Sequence, residues 1–147
     1  MYYRRTKTKY SNKRCTYKGS PYDSRAEGGH AMHLDALKLA ADPRERVVEW
    51  ERQYKVRIEI PQPLSECPHC KAALVHPKKL LRTHRVDFLV TFADEHRELH
   101  EVKGVETRDW QIIRDALLLT FGYEHQDIEY VVIPVGRNYR PKRRARR

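Results

Sequence analysis

The residues best suited to chemistry lie in His100-Glu101-Val102-Lys103-Gly104. Read as a strand, with side chains alternating at a period of two, this segment puts Glu101 and Lys103 on one face. Among the 20 acids of the chain, Glu101 alone is followed two residues later by lysine. Gly104 comes next, where a bare backbone lets a bulky substrate approach closely. Asp87 sits in the preceding strand of the same expected hairpin, so the two strands can set Asp87 beside Glu101. Two carboxylates and a lysine suit metal-assisted phosphodiester hydrolysis. Carboxylates are hard oxygen ligands for Mg²⁺, which needs only one or two of them because water and substrate phosphate complete its octahedron. A lysine can orient the water or counter the charge that builds on the phosphate.

Taken with Glu27 upstream on a helix, the order Asp87, then Glu101-Val102-Lys103, resembles the PD-(D/E)xK nuclease superfamily, which includes restriction endonucleases and archaeal-type Holliday junction resolvases. More closely, Ser24-Arg25-Ala26-Glu27, Glu51-Arg52-Gln53, Val86-Asp87-Phe88 and Glu101-Val102-Lys103-Gly104 resemble a family of small phage-encoded members. The likeness spans about residues 17–135. Val86 stands where that superfamily often has proline before the aspartate. The resemblance implies a restriction-endonuclease-like α+β (α/β) core, a central mixed sheet flanked by helices. It also implies Mg²⁺ (or Mn²⁺) held by Asp87, Glu101 and Glu27, with Lys103 and Gln53 completing the catalytic set, and DNA as substrate.

Each residue also has a plainer reading. Glu27 closes a capping box with Ser24. Asp87, on an apolar strand, is satisfied by a salt bridge to Lys103. Glu101 and Lys103 form the solvent face of an edge strand, and Gln53 is a surface glutamine. Arg114, on the helix after that strand, reaches phosphate or pairs with Asp109 or Asp115.

Cys67-Pro68-His69-Cys70 has the spacing of half a zinc knuckle. The remaining ligands would come from His76, the best by spacing, or from His84, His69 or Cys15, or across a dimer. The alternative is two free thiols. Three cysteines, an odd number, argue against a disulfide framework and for a reducing compartment. His84 is also close enough to Asp87 to serve the carboxylate site.

The elements that must position these groups follow from periodicity. A helix is expected from Ser24 to about Ala41, burying Ala26, Gly29, His33, Leu37 and Ala40, with Asp42-Pro43 ending it. Arg46–Ile60 reads as one or two strands and residues 61–83 as an irregular insertion. His84–Phe92 reads as a strand with Val86, Phe88, Val90 and Phe92 on one face, and Glu98–Lys103 as its hairpin partner. A helix over Thr107–Phe121, apolar at Trp110, Ile113, Leu117 and Phe121, leads to a buried strand over Ile128–Val135 with a parallel neighbour.

The net charge of +10 is not spread evenly. Residues 1–18 and 137–147 hold seven Lys/Arg each and no acid, leaving 16 basic and 20 acidic residues, a net of −4, between them. The expected organisation is therefore a basic N-terminal arm (1–18), a nuclease domain (19–136) and a basic tail (137–147). Such arms gain DNA affinity by counterion release. Arg4, Arg5, Lys7 and Lys9 in the first and Arg140, Lys142, Arg143 and Arg144 in the second are the expected contacts, with Tyr2, Tyr3, Tyr10 and Tyr17 able to stack on bases. No apolar run reaches membrane-spanning length and no signal peptide is expected, which points to the cytoplasm, that of the host cell if the gene is a phage's. A compact chain without a sequence-reading module suits a branched substrate, so the leading expectation is a homodimeric Holliday junction resolvase. A nicking, repair or transposon-end nuclease, or a non-catalytic zinc or nucleic-acid-binding protein, are the other readings.

Overall fold

A computed structural model describes residues 13–61, 65–74 and 78–135. The basic residues expected in the two arms, Arg4, Arg5, Lys7, Lys9, Arg140, Lys142, Arg143 and Arg144, and the zinc candidate His76, lie outside them. The elements run β1 (Cys15–Tyr17), β2 (Ser20–Tyr22), α1 (Arg25–Leu37), β3 (Val47–Ile60), β4 (Ser65–Glu66), β5 (Ala73–Leu74), β6 (Lys79–Phe92), β7 (Arg97–Lys103), α2 (Arg108–Leu117) and β8 (Ile128–Pro134). A π-helical turn over Leu118–Gly122 extends α2.

The central sheet has the order β3-β6-β7-β8. β3 and β7 run antiparallel to β6, and β8 runs parallel to β7, with Leu99 opposite Tyr130. The α+β architecture with a mixed sheet flanked by helices is therefore as the sequence indicates. The parallel step follows from α2, which supplies the crossover that two parallel neighbours need. Among the described residues no helix is long and apolar enough to cross a membrane.

Two apolar clusters hold the layers. Tyr22, Ala31, Leu34, Val47, Phe88, Val90 and Phe92 pack beneath α1. Val56, Ile58, Val86, Leu99, Leu117 and Ile128 pack beneath α2. Alternation along β7 puts the helices on opposite faces: Leu99 joins the α2 cluster, while His100 bonds to His30 of α1. Val86 thus parts from Phe88, Val90 and Phe92, contrary to the single face read from the sequence. The cause is local. Gln53 falls between the pairs Arg52↔Phe88 and Tyr54↔Val86, and its φ of 53° is left-handed, which breaks the alternation of the ribbon at that step.

Other boundaries also move. α1 stops at Leu37, and the chain tightens into three-residue turns, with Lys38, Leu39 and Ala40 N–H donating to Asp35, Ala36 and Leu37 carbonyls. Its buried residues are Gly28, Ala31 and Leu34, while Gly29 and His33 are exposed, so the expected stripe is rotated. Small residues and histidines carry little hydrophobic signal, and the orientation is set by contact instead: a Cβ on Gly28 would lie 2.4 Å from Cys15 Sγ. β6 begins at Lys79, inside the expected insertion, because residues 79–83 pair with the end of β3 while their side chains stay exposed. The described end of the N-terminal arm belongs to the fold. Tyr17 hydroxyl (2.9 Å), Lys18 Nζ (2.7 Å) and Trp50 Nε1 (3.0 Å) all donate to Asp35, which ties the β1–β2 hairpin to α1 and β3. Tyr17 is thereby half-buried and tied to α1 through Asp35. Lys18 first, then Trp50 and Tyr17, hold the Asp35 carboxyl well below the usual range.

Candidate active site

Ladder pairing between β6 and β7 runs from Thr91↔Arg97 to Phe88↔His100 and stops there. Two residues further along β7, the Val102 N–H donates to Asp87 Oδ2 at 2.7 Å, so a carboxylate takes the place of a strand carbonyl. The opening that results is a cleft of about 420 Å³ lined by Glu27, Asp87, Glu101, Lys103, Gly104 and Val135, with Ser24 and Thr107 at its sides. Glu27, Asp87, Glu101 and Lys103, far apart in sequence, are brought together as expected. A Cβ on Gly104 would be in ordinary contact with Val135, so packing does not demand glycine there.

The carboxylates are held differently. Glu101 is buried; its Oε1 accepts from Trp110 Nε1 at 3.2 Å and Lys103 Nζ at 3.4 Å. Its Oε2 makes no hydrogen bond; His84 Nε2 lies 3.5 Å away and is itself unbonded. Burial, then the Glu101 charge and more weakly that of Glu27, push Asp87 up to about 7, against the lowering by the Val102 N–H and Lys103. Glu27 is tied to the cap and lines the cleft: its N–H donates to Oγ of the N-cap Ser24 at 3.1 Å, the Ser24 hydroxyl donates to Glu27 Oε1 at 2.8 Å, and the same side chain faces the cleft. Asp87 does not pair with Lys103; the lysine bonds to Glu101 and lies 5.2 Å from the Trp110 ring centroid.

Among the described residues no three His, Cys, Asp or Glu side chains form a ready-made metal-ligand set. The carboxylates nonetheless fit Mg²⁺, which takes few protein oxygens and keeps several waters. Asp87, raised by burial and then by its acidic neighbours, and an unbonded, buried Glu101 Oε2 are what a cation would relieve.

Other expected residues fall elsewhere. Gln53 does not line the cleft; its Oε1 accepts from Arg85 Nη1 at 3.5 Å. Arg114 donates to Asp115 at 2.8 and 3.0 Å, stands 3.8 Å from Glu106, and stacks over Trp110. His84 faces Glu101 and is not gathered with Cys67 and Cys70 as a ligand set. Cys15 donates to the Ser24 carbonyl at 3.5 Å and abuts α1.

Three features escaped the sequence reading. Trp110, expected only as an apolar anchor, is the donor that fixes Glu101. Half-buried Tyr130 has its hydroxyl pushed up by burial and then by the Glu101 and Asp87 charges. The caps Ser24 and Thr107 both border the cleft, so two helix N-termini flank it. The cap pattern Ser24-x-x-Glu27 was visible in the sequence; its meeting with Thr107 was not.

A larger, mostly apolar cavity of about 760 Å³ adjoins the cleft and shares Ala26, Val102 and Val135 with it. There His30 Nε2 is 2.9 Å from His100 Nδ1, and His100 Nε2 is 2.7 Å from Glu98 Oε2. Burial first, then His100 and His33, push His30 down to about 3. A neutral His30 donating to His100, which donates to Glu98, ties α1 to β7. Glu27, Asp87, Glu101 and Lys103 line the smaller cleft and not this cavity.

The chain belongs to the family described as "Protein of unknown function (DUF1064)", whose model matches residues 7–133. No curated protein and no solved structure matches it.

Proposed function

We propose that this protein is a metal-dependent endodeoxyribonuclease of the PD-(D/E)xK type. The observation that carries the reading is the convergence of Glu27, Asp87, Glu101 and Lys103, from α1, β6 and β7, on one cleft in which Asp87 is raised to about 7. Asp87 and Glu101 would hold Mg²⁺ or Mn²⁺, with Glu27 as a third ligand directly or through water. A bound divalent cation supplies Lewis-acid polarisation of the phosphate and activates water.

The chain's own residues do the rest. Trp110 holds Glu101 Oε1, which leaves Oε2 free to ligate. Lys103, kept beside Glu101 and over Trp110, counters the charge that builds on the phosphate. The two helix N-termini at Ser24 and Thr107 favour an anion between them. In the overall reaction a water oxygen bonds to phosphorus, the ester P–O bond breaks, and a water proton ends on the leaving oxygen. β8 ends beside Lys103, and the N–H of Val135, the last described residue, donates to the Lys103 carbonyl at 2.9 Å at the rim of the cleft.

The substrate we propose is a branched duplex, foremost a four-way junction bound by a homodimer, whose two-fold axis would match that of the junction. Purified protein, with Mg²⁺ and with EDTA, should be incubated with a four-way junction, a splayed duplex, a nicked duplex and a linear duplex. Cleavage should require the metal and fall by at least about 100-fold in Asp87→Asn, Glu101→Gln and Lys103→Ala, with DNA binding retained. Wild-type rates in the Asp87 or Glu101 variant would overturn the site. Equal cutting of all forms would replace the resolvase with a general nuclease, and cutting at one sequence would point to a transposon-end or restriction enzyme.

A further inference from the structure

The Cys67-Pro68-His69-Cys70 turn takes no part in the cleft. It closes the short β4–β5 hairpin, which pairs Ser65 with Leu74 and Glu66 with Ala73. The Cys67 N–H donates to the Ala72 carbonyl at 2.9 Å and the Lys71 N–H to the Cys67 carbonyl at 2.9 Å, while Lys71 takes a left-handed φ of 60°. This winding turns the N–H groups of Cys70 and His69 toward the Cys67 sulfur. Such amides stabilise a thiolate, the form of cysteine that binds metal. Both thiols are free, and Cys70 is exposed. A plain hairpin turn has no need of two cysteines or of amides directed at one of them.

One turn supplies two ligands, and structural zinc takes four in a tetrahedron. The described part of the chain does not furnish the others. Cys15 is engaged with Ser24 against α1, His84 faces Glu101, and no third ligand is gathered among the described residues. The turn is exposed from Pro68 to Lys71, so two copies can meet there. A two-fold axis through the metal would bring two identical pairs together, and the paired Lys71 side chains would offset the excess thiolate charge.

We propose that Cys67 and Cys70 are half of a structural zinc site completed by the same two cysteines of a second copy, so that zinc binding and dimerisation are one event. The proposal does not depend on the nuclease reading, and its test involves no cleavage. Full-length protein, purified reduced and without chelator, is analysed for zinc and for solution mass, before and after dialysis against a strong chelator. The expected result is one zinc per two chains in a dimer, with metal and dimer lost together on chelation. Cys67→Ser and Cys70→Ser should lack both, while Cys15→Ser and His76→Ala keep both. Cobalt substitution should give the intense visible bands of tetrahedral thiolate coordination.

One zinc per chain in a monomer, or loss of zinc in His76→Ala, would overturn the shared site in favour of one within a single chain. No zinc after loading the reduced protein, or a dimer that survives metal removal, would overturn the proposal altogether. The wild-type measurements decide the matter even if a cysteine variant fails to fold.

Discussion

Replacing Asp87 by asparagine should make the metal-free protein more stable while abolishing its activity. In the fold Asp87 titrates at about 7 against an ordinary 3.8, because it is buried beside Glu101 and Glu27. The folded state therefore holds this proton more tightly than the unfolded chain does. Stability linked to the group is fully present below pH 3.8 and is lost as the pH rises through about 7. A difference of roughly three units at about 1.36 kcal/mol each sets an upper limit of about 4 kcal/mol above neutrality. Asparagine removes the charge and still offers an oxygen to the Val102 N–H. Its amide must find acceptors, so a gain of about 1–3 kcal/mol is expected, or about 3–9 °C in Tm for a domain of this size.

The assay is thermal or urea unfolding of both proteins in EDTA at pH 8 and pH 4. The variant should exceed wild type at pH 8, and the gap should close toward pH 4, where Asp87 is protonated in the fold. Added Mg²⁺ should stabilise wild type at pH 8 and leave the variant nearly unchanged, since a ligand stabilises only what binds it. A variant no more stable than wild type at pH 8 without metal would refute the reasoning. It would mean that Asp87 is not a carboxylate held against its neighbours' charge.

Much of this site was legible in the sequence because it rests on short-range geometry. Glu101 and Lys103 share a face through strand alternation, and Asp87 reaches them across a four-residue turn, so neither inference needed the tertiary fold. The parallel placement of β8 followed from a continuous apolar run after a helix. What could not be read depends on contacts between distant segments. Gln53 looked catalytic by its order among the motifs, but its left-handed backbone serves to switch the ribbon from one core to the other, and its side chain meets Arg85. The α1 stripe was misread because glycine, alanine and histidine give weak periodicity, and the helix is oriented instead by Cys15, Asp35 and the His30–His100 bond. Residues 79–83 have no buried side chain, so only their pairing with β3 makes them a strand. Trp110 was seen as apolar, and nothing in the sequence links its indole N–H to a carboxylate nine residues earlier.

Trp110→Phe removes the donor to Glu101 but keeps most of the packing; cleavage should fall about 10-fold in kcat, worth about 1.4 kcal/mol, with KM little changed, and unchanged kcat would remove Trp110 as a positioning residue. Deleting residues 137–147 should weaken DNA binding and flatten the plot of log K against log salt by roughly 0.9 for each duplex phosphate that the tail had neutralised, and an unchanged slope would show that the tail does not touch DNA. The last test joins packing to chemistry through Gly28→Ala. The new Cβ would sit 2.4 Å from Cys15 Sγ, while its next neighbours, on Tyr22, are at 3.8 and 3.9 Å, so one atom accounts for the collision. A shift of α1 away from β1, the alternative to turning Cys15 Sγ out of its bond to Ser24, relieves it at about 1–3 kcal/mol. Glu27 is the adjacent residue, so the same shift carries its carboxylate relative to Asp87 and Glu101. Cleavage should therefore drop under conditions where the variant remains fully folded. Cys15→Ala removes the obstructing sulfur, and the double variant should recover both stability and rate, with a coupling of at least about 1 kcal/mol in the double-mutant cycle. Recovery of stability without recovery of rate would separate Glu27 from catalysis and leave it as the partner of the N-cap Ser24.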